Sequence, residues 1–484
     1  MSMHKLKGVI LLTVFSTVSA RSATIAVIDS GLDVKHTQLV SKLWSNGSES
    51  SNSKDDDGNG LVDDLNGWNF AENSSSLLRR ELIGQFGEET VHKYMDLRAK
   101  EVDGLLTRSD SSFLSQARAS YRLMGLVNNY GQFAHGTHVA GIALKDNKKS
   151  KVMGIKLLKS SFSQTLSSSL TMALNESDDI TISSVLVSNI LSQSKSMIEV
   201  GKYLNSKKVE VANGSFGLSI FQASKLVQAS FVNMLGRYPS QEELVEYSFK
   251  FMYTMLDEHK KMVESSPDTL FVFAAGNDGQ NNDVFPVAPA NIQQANVISV
   301  AATYGDTKLA DFSNFGKKFV DVAAPGVNIA STVPGYNGVK MSGTSQAAPL
   351  VSNLALRIKE VNKALGPAEI KKIIMETVDK KSWLAEKVKS GGLINTKRAV
   401  FAAHFAKYRN LEDGILYAKH YVVSGMTGTS GLDIPNGVML PTIEAASNPF
   451  FNTGNFEEGV NPETIFDANN IKDILGGNFS RLKL

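Results

Sequence analysis

Thr24-Ile25-Ala26-Val27-Ile28 is an unbroken apolar run, rich in β-branched side chains, that stops at Asp29-Ser30-Gly31. A strand with no polar face has no side to show to water, so this run belongs in a parallel sheet covered by helices on both faces. Asp29 then stands at the carboxyl end of the strand, the edge at which open α/β sheets place their sites. Further strands are expected near 24–28, 152–158, 209–213, 269–275 and 297–302. The fold class is therefore α/β: a three-layer αβα domain with a mainly parallel sheet. A chain of 484 residues with 42% hydrophobic content can bury such a core.

Two downstream segments carry residues suited to work with Asp29. His135-Gly136-Thr137-His138-Val139-Ala140-Gly141 is expected to begin a helix, with His135 at its entrance. Gly343-Thr344-Ser345-Gln346-Ala347-Ala348-Pro349-Leu350-Val351 puts Ser345 on a glycine-led turn that opens an apolar helix. The unpaired N–H groups of a helix start suit an oxyanion formed beside that serine. Read locally, Gly-Thr-Ser is as much a simple helix cap. An activated serine also needs a base, and a carboxylate to fix the tautomer of that base; His135 and Asp29 are the right types. Thr269 to Ala275 is a further apolar strand leading into Gly276-Asn277-Asp278-Gly279. There Asn277 is either a turn residue or a donor of its side-chain amide.

In order and in context these motifs resemble those of the subtilisin-like serine proteases, the subtilases. The resemblance covers about residues 23–400 and closes on Gly391-Gly392-Leu393-Ile394-Asn395. It implies a serine endopeptidase acting on protein or peptide substrates. Asp29, His135 and Ser345 would form the triad, and Asn277 with the Ser345 amide would hold the oxyanion. It also implies that Ser215-Phe216-Gly217 forms one wall of the primary specificity pocket, with residues before Asn277, Gly276 among them, as the other. Phe216, Val284 and Phe285 are expected to narrow this pocket, and Asp278 to add negative charge at its mouth. His36 and His138 match positions that are structural. Gln346 and Leu350 stand where many relatives carry methionine and histidine. A non-catalytic peptide-binding protein of the same fold, or a processing protease of narrow specificity, remains an alternative.

Asp55-Asp56-Asp57-Gly58-Asn59-Gly60-Leu61-Val62-Asp63-Asp64 suggests a second site. Asp55, Asp57 and Asn59 with the Leu61 carbonyl fall at the alternating positions by which a short loop wraps calcium, and Asp63 adds a further carboxylate. Asn66 stands at the twelfth position in place of glutamate, so the loop is not an EF-hand. The other reading is a solvated acidic turn. Crowded carboxylates repel without a counter-ion, which favours structural calcium.

The remaining expectations concern organisation. Lys5 and Lys7, the apolar stretch Gly8 to Phe15 and the small residues Val18-Ser19-Ala20 look like a secretory signal peptide over residues 1–20, hence a secreted or periplasmic protein. A short uncleaved leader on a cytoplasmic enzyme is the alternative, and a chain without cysteine fits either compartment. The peptidase domain is expected over 21–400, with mostly helical insertions at about 71–131 and 218–268, and a largely irregular C-terminal extension over 401–484. Glu88 to Leu106 should be helical, and Ser240-Gln241-Glu242-Glu243 is a capping box ahead of Leu244, Tyr247, Phe251 and Met255. Both insertions are expected to restrict access of folded proteins to the cleft. A net charge of +2 gives no reason to expect nucleic acid, and no later segment suggests a membrane span. A monomer is expected.

Overall fold

The computed structural model describes residues 22–158 and 181–422. The leader assigned to residues 1–20 lies outside the described residues, as does the chain beyond 422.

The apolar run forms β1 (Thr24–Asp29), with all its residues buried. It pairs in parallel with β3 (Lys151–Lys156) on one side and β4 (Val211–Gly214) on the other. β2 (Gly67–Asn69) lies outside β3, while β5 (Leu270–Ala274), β6 (Val297–Tyr304) and β7 (Val322–Pro325) follow β4, all parallel. The chain leaves β1 for β3 and returns across it to β4, so strand order reverses at β1. That reversal opens a crevice at the carboxyl edge, where Asp29 ends the strand.

Alternation along the strands feeds two helical layers. Ile25, Val27, Val152, Val211 and Val272 face a cluster that includes Val139, Ala140, Val351 and Leu354. These come from α3 (Tyr121–Ala143) and α7 (Thr344–Val361). Ala26, Ile28, Met153, Ala212 and Phe271 face the other way, onto Val200, Leu204 and Met262. Those belong to α4 (Ile182–Ser206) and α6 (Gln241–Glu264).

The helical expectations are met in part. α1 (Glu88–Val102) stops short of Leu106 and buries Val91, Tyr94 and Leu97, with Met95 at the margin. With α2 (Arg108–Ala119) it builds a satellite core against Tyr130 and Phe133 of α3, and against Val333 and Val339. The last two lie on the hairpin of β8 (Ile329–Val333) and β9 (Tyr336–Met341), which leads to Ser345. The capping box at α6 forms as expected: Glu243 N–H donates to Ser240 Oγ at 3.2 Å, and Ser240 N–H to the Glu243 carboxylate at 2.8 Å. Leu244, Phe251 and Met255 of its stripe are buried against α5 (Ile220–Leu235).

Two expectations are corrected. His135 does not open its helix; α3 begins at Tyr121, about four turns earlier, where the Ser120 hydroxyl caps it by accepting from Leu123 N–H. Inside the helix, Gly136 and Gly141 leave room for close neighbours, the Gly31 carbonyl at one and the Ser331 and Thr332 hydroxyls of the later hairpin at the other. Nor is the chain irregular from Val400 to residue 422, where the described residues end. After α8 (Pro367–Glu376), α9 (Thr396–Phe405) and α10 (Leu411–Tyr421) carry Ala402, Ala403, Ile415 and Ala418 into the main core. Among the described residues, no helix is long and apolar enough to cross a membrane.

Candidate active site

Asp29 is fully buried at the end of β1, and Ser30 N–H donates to its Oδ1 at 2.7 Å. His135 Nδ1 stands 2.8 Å from Oδ1 and 3.0 Å from Oδ2 of the same carboxylate. This contact requires α3 to lie almost on the strand end. A Cβ on Gly136 would fall 2.1 Å from the Gly31 carbonyl oxygen and 3.0 Å from Asp29 Cβ, so no larger residue fits. Burial alone pulls the His135 pKa down, but the Asp29 charge and hydrogen bond outweigh it and hold the imidazole above its ordinary value. His138, three residues on, is fully buried and bonds the Val339 carbonyl through Nε2 at 3.0 Å. Its burial lowers the pKa to about 3, so it remains neutral and structural. His36 is likewise buried, with Nε2 3.2 Å from the Tyr336 carbonyl.

Ser345 lies in the first turn of α7. Thr344 N–H and Thr344 Oγ1 both donate to Asn277 Oδ1, at 2.8 and 2.9 Å. Two donors on one atom assign that atom as the carboxamide oxygen and the other as Nδ2. Among the described residues, neither Asn277 Nδ2 nor the Ser345 N–H has a protein acceptor. Gly276, with φ of 112°, permits the turn that presents Asn277, and a Cβ there would meet Asn314 Nδ2 at 2.5 Å. The Ser345 hydroxyl donates to the Ser215 carbonyl at 3.1 Å rather than to His135.

Of the residues expected to wall the pocket, Ser215 donates through Oγ to the Ser345 carbonyl at 2.9 Å, and Gly276 N–H donates to Thr344 Oγ1 at 3.2 Å. Gly217 is partly exposed and Ser215 buried. Phe216 does not narrow a pocket with its ring, contrary to expectation. The ring is buried edge-on to Phe273, with centroids 6.4 Å apart. Past the end of β4 the ring joins the core cluster with Ala212 and Phe273, while the Ser215 hydroxyl reaches the Ser345 carbonyl. Phe285 is also buried, beside Phe221, while Asp278 is exposed next to Asn277.

The acidic loop takes a different shape from the one expected. Asp55 accepts from Asn59 and Gly60 N–H, Asn59 Oδ1 accepts from Leu61 N–H, and Asp63 accepts from Asn52 and Ser53 N–H. Their oxygens serve their own turns instead of one centre. The carboxylates that do converge are Glu49, Asp57 and Asp64, with ligand atoms within 4.8 Å of one another. Of these, Asp57 alone belongs to the expected set. Asp64 is visible in the sequence as the second of an acidic pair, whereas Glu49 precedes the loop and has no spacing to mark it. Lys207 reaches in from far along the chain, 2.6 Å from Asp57 and 3.4 Å from Asp64, and Tyr203 OH donates to Asp64 at 2.7 Å.

Known proteins resemble this chain. The chain is 27% identical over 384 residues to Subtilisin-like protease 1 of Plasmodium vivax, covering 78% of this chain and 46% of that protein. It is 39% identical over 132 residues to a thermophilic serine proteinase of Bacillus sp. strain AK1, covering 27% of this chain and 31% of the relative. The chain thus spans less than half the length of either relative. A solved cold-adapted subtilisin-like serine proteinase superposes with a TM-score of 0.42 at 17% identity, covering 76% of this chain and 88% of that one. The model of the subtilase family matches residues 20–399. Since that match takes in most of the sequence, from before β1 into α9, the chain belongs to the subtilase family.

Proposed function

We propose that the protein is a serine endopeptidase that cleaves peptide bonds through Asp29, His135 and Ser345. The observation that carries this is the pair of unspent donors, Asn277 Nδ2 and Ser345 N–H, beside a serine whose helix packs on the sheet and on α3, the helix that holds His135 against Asp29. In the cycle, the Ser345 hydroxyl turns from Ser215 to His135 Nε2, which takes its proton as Oγ attacks the carbonyl carbon. Asp29 keeps the Nδ1 proton in place and stabilises the imidazolium. The oxyanion settles between the two unspent donors. His135 then returns the proton to the leaving amine, and water repeats the sequence on the acyl-enzyme with the proton moving the same way. An extended peptide would lie along Ser215 and Gly217, paired through its main chain.

A fluorophosphonate probe tests this. It is expected to label the wild type and not Ser345→Ala; failure to label folded wild type would leave the non-catalytic binding reading in possession. The leader motif in residues 1–20 supports export as the setting for this activity.

Calcium fits the acidic loop in part. Glu49, Asp57 and Asp64 are hard oxygen donors with three negative charges against one ammonium, so a divalent cation would be held there and would relieve their repulsion. Its role is structural and touches no step of the cycle.

A further inference from the structure

A buried chain of polar groups runs behind the nucleophile. Ser352 Oγ donates to Asn213 Oδ1 at 2.9 Å, Asn213 Nδ2 donates to Ser215 Oγ at 2.9 Å, and Ser215 Oγ donates to the Ser345 carbonyl at 2.9 Å. Ser352 and Asn213 are fully buried and Ser215 is 4% exposed. The chain therefore leaves α7, crosses β4 and the strand end, and returns to α7 two turns earlier. Residues seven apart share a face of the helix, so the two attachments lie in line along α7.

We propose that Ser352, Asn213 and Ser215 form a relay that positions Ser345 by fixing the rotation of α7 about its own axis. Apolar packing alone does not do this. The face that α7 turns to the sheet is lined by Ala347, Ala348, Val351, Leu354 and Ala355, which are small or rounded and hold the helix down without fixing its angle. Directional hydrogen bonds at both ends do fix it. Each member of a buried network must keep its partner, because an unpaired polar group there is costly. A small rotation would break at least one of the three bonds and would swing Ser345 Oγ and its N–H away from His135 and Asn277 together. Asn213 suits the middle place because its carboxamide accepts at one end and donates at the other. Ser215 has a second part in the arrangement, since its carbonyl accepts the Ser345 hydroxyl.

This inference rests on the protease reading, and the experiment separates the two. Ser215→Ala, Ser352→Ala and the double variant are compared with wild type for kcat and KM on one peptide, for the rate of fluorophosphonate labelling, and for melting temperature. Ser215→Ala is expected to lower kcat about tenfold and Ser352→Ala about threefold, with labelling slowed in step and KM within about twofold. The double variant should match Ser215→Ala, because cutting the relay at its end makes the more distant cut irrelevant. Wild-type kcat in either folded single variant, losses that multiply in the double, or an effect confined to KM would overturn the relay. Should Ser215→Ala fail to fold, Ser352→Ala, which removes one buried oxygen, still decides. Cleavage surviving in Ser345→Ala would instead sink the protease reading.

Discussion

The serine edge and the acidic loop are both rich in polar groups, yet they are satisfied in opposite ways. In the loop, Asp55, Asp56, Asp57, Asp63, Asp64 and Glu49 all accept from amides, hydroxyls or an ammonium within the chain. At the serine, two good donors are presented and left unspent. Structure is built by pairing groups, whereas catalysis reserves a few for a charge that exists only in passing. The contrast explains why a dense carboxylate motif is mostly self-contained and a sparse one is not.

The comparison can be broken most severely at Asn277. Asn277→Leu is expected to lower kcat by about a hundred- to a thousandfold with little change in KM, a magnitude known from subtilisin's own asparagine. A rise in KM alone would mean that Nδ2 serves the substrate's ground state.

The next effect concerns pH. The proposed cycle needs neutral His135, whose pKa Asp29 raises, so activity should fall as pH drops through a value above the usual ~6.5 of imidazole. The same shift stabilises the fold below the unfolded value, and that contribution is lost as pH rises through the folded one. In the Asp29→Asn variant the neighbouring charge is gone while burial remains, so the acid limb of any residual activity should move down. A limb left in place in that variant would assign it to another group.

The smallest effect is expected in the loop. Chelation should lower the melting temperature by about 2–4 °C at most, the shift that roughly 1 kcal/mol gives in a domain of roughly 150–250 residues. Lys207→Met should deepen the response by removing the internal cation. An unchanged melting curve in both proteins would mean that pairing within the loop suffices.

Much of the fold and site is legible in the sequence because short-range chemistry carries it. The β1 run and the Asp29, Asn277 and Ser345 motifs each mark a strand end or a turn by local residue type, and the His135 motif is legible by its residues although its place within α3 is not. What escapes depends on distant partners. Glu49 and Lys207 join the loop from outside its spacing, and Thr344 matters through Asn277, which no periodicity reveals. The start of α3 is hidden because its first half is stabilised by tertiary packing against α1 and α2, which overrides the local punctuation by glycine. Phe216 misleads because a pocket residue and a core residue look alike until the strand's facing is known.

The unbroken course of α3 makes the base the far end of a lever. About 20 Å of rod separates the Ser120 cap from His135, and Tyr130 and Phe133 along it are clamped by the satellite core. The side chains that clamp this rod, Val91, Tyr94, Leu97, Leu114 and Ala117 of α1 and α2, therefore bear on the placing of His135 without lying beside it.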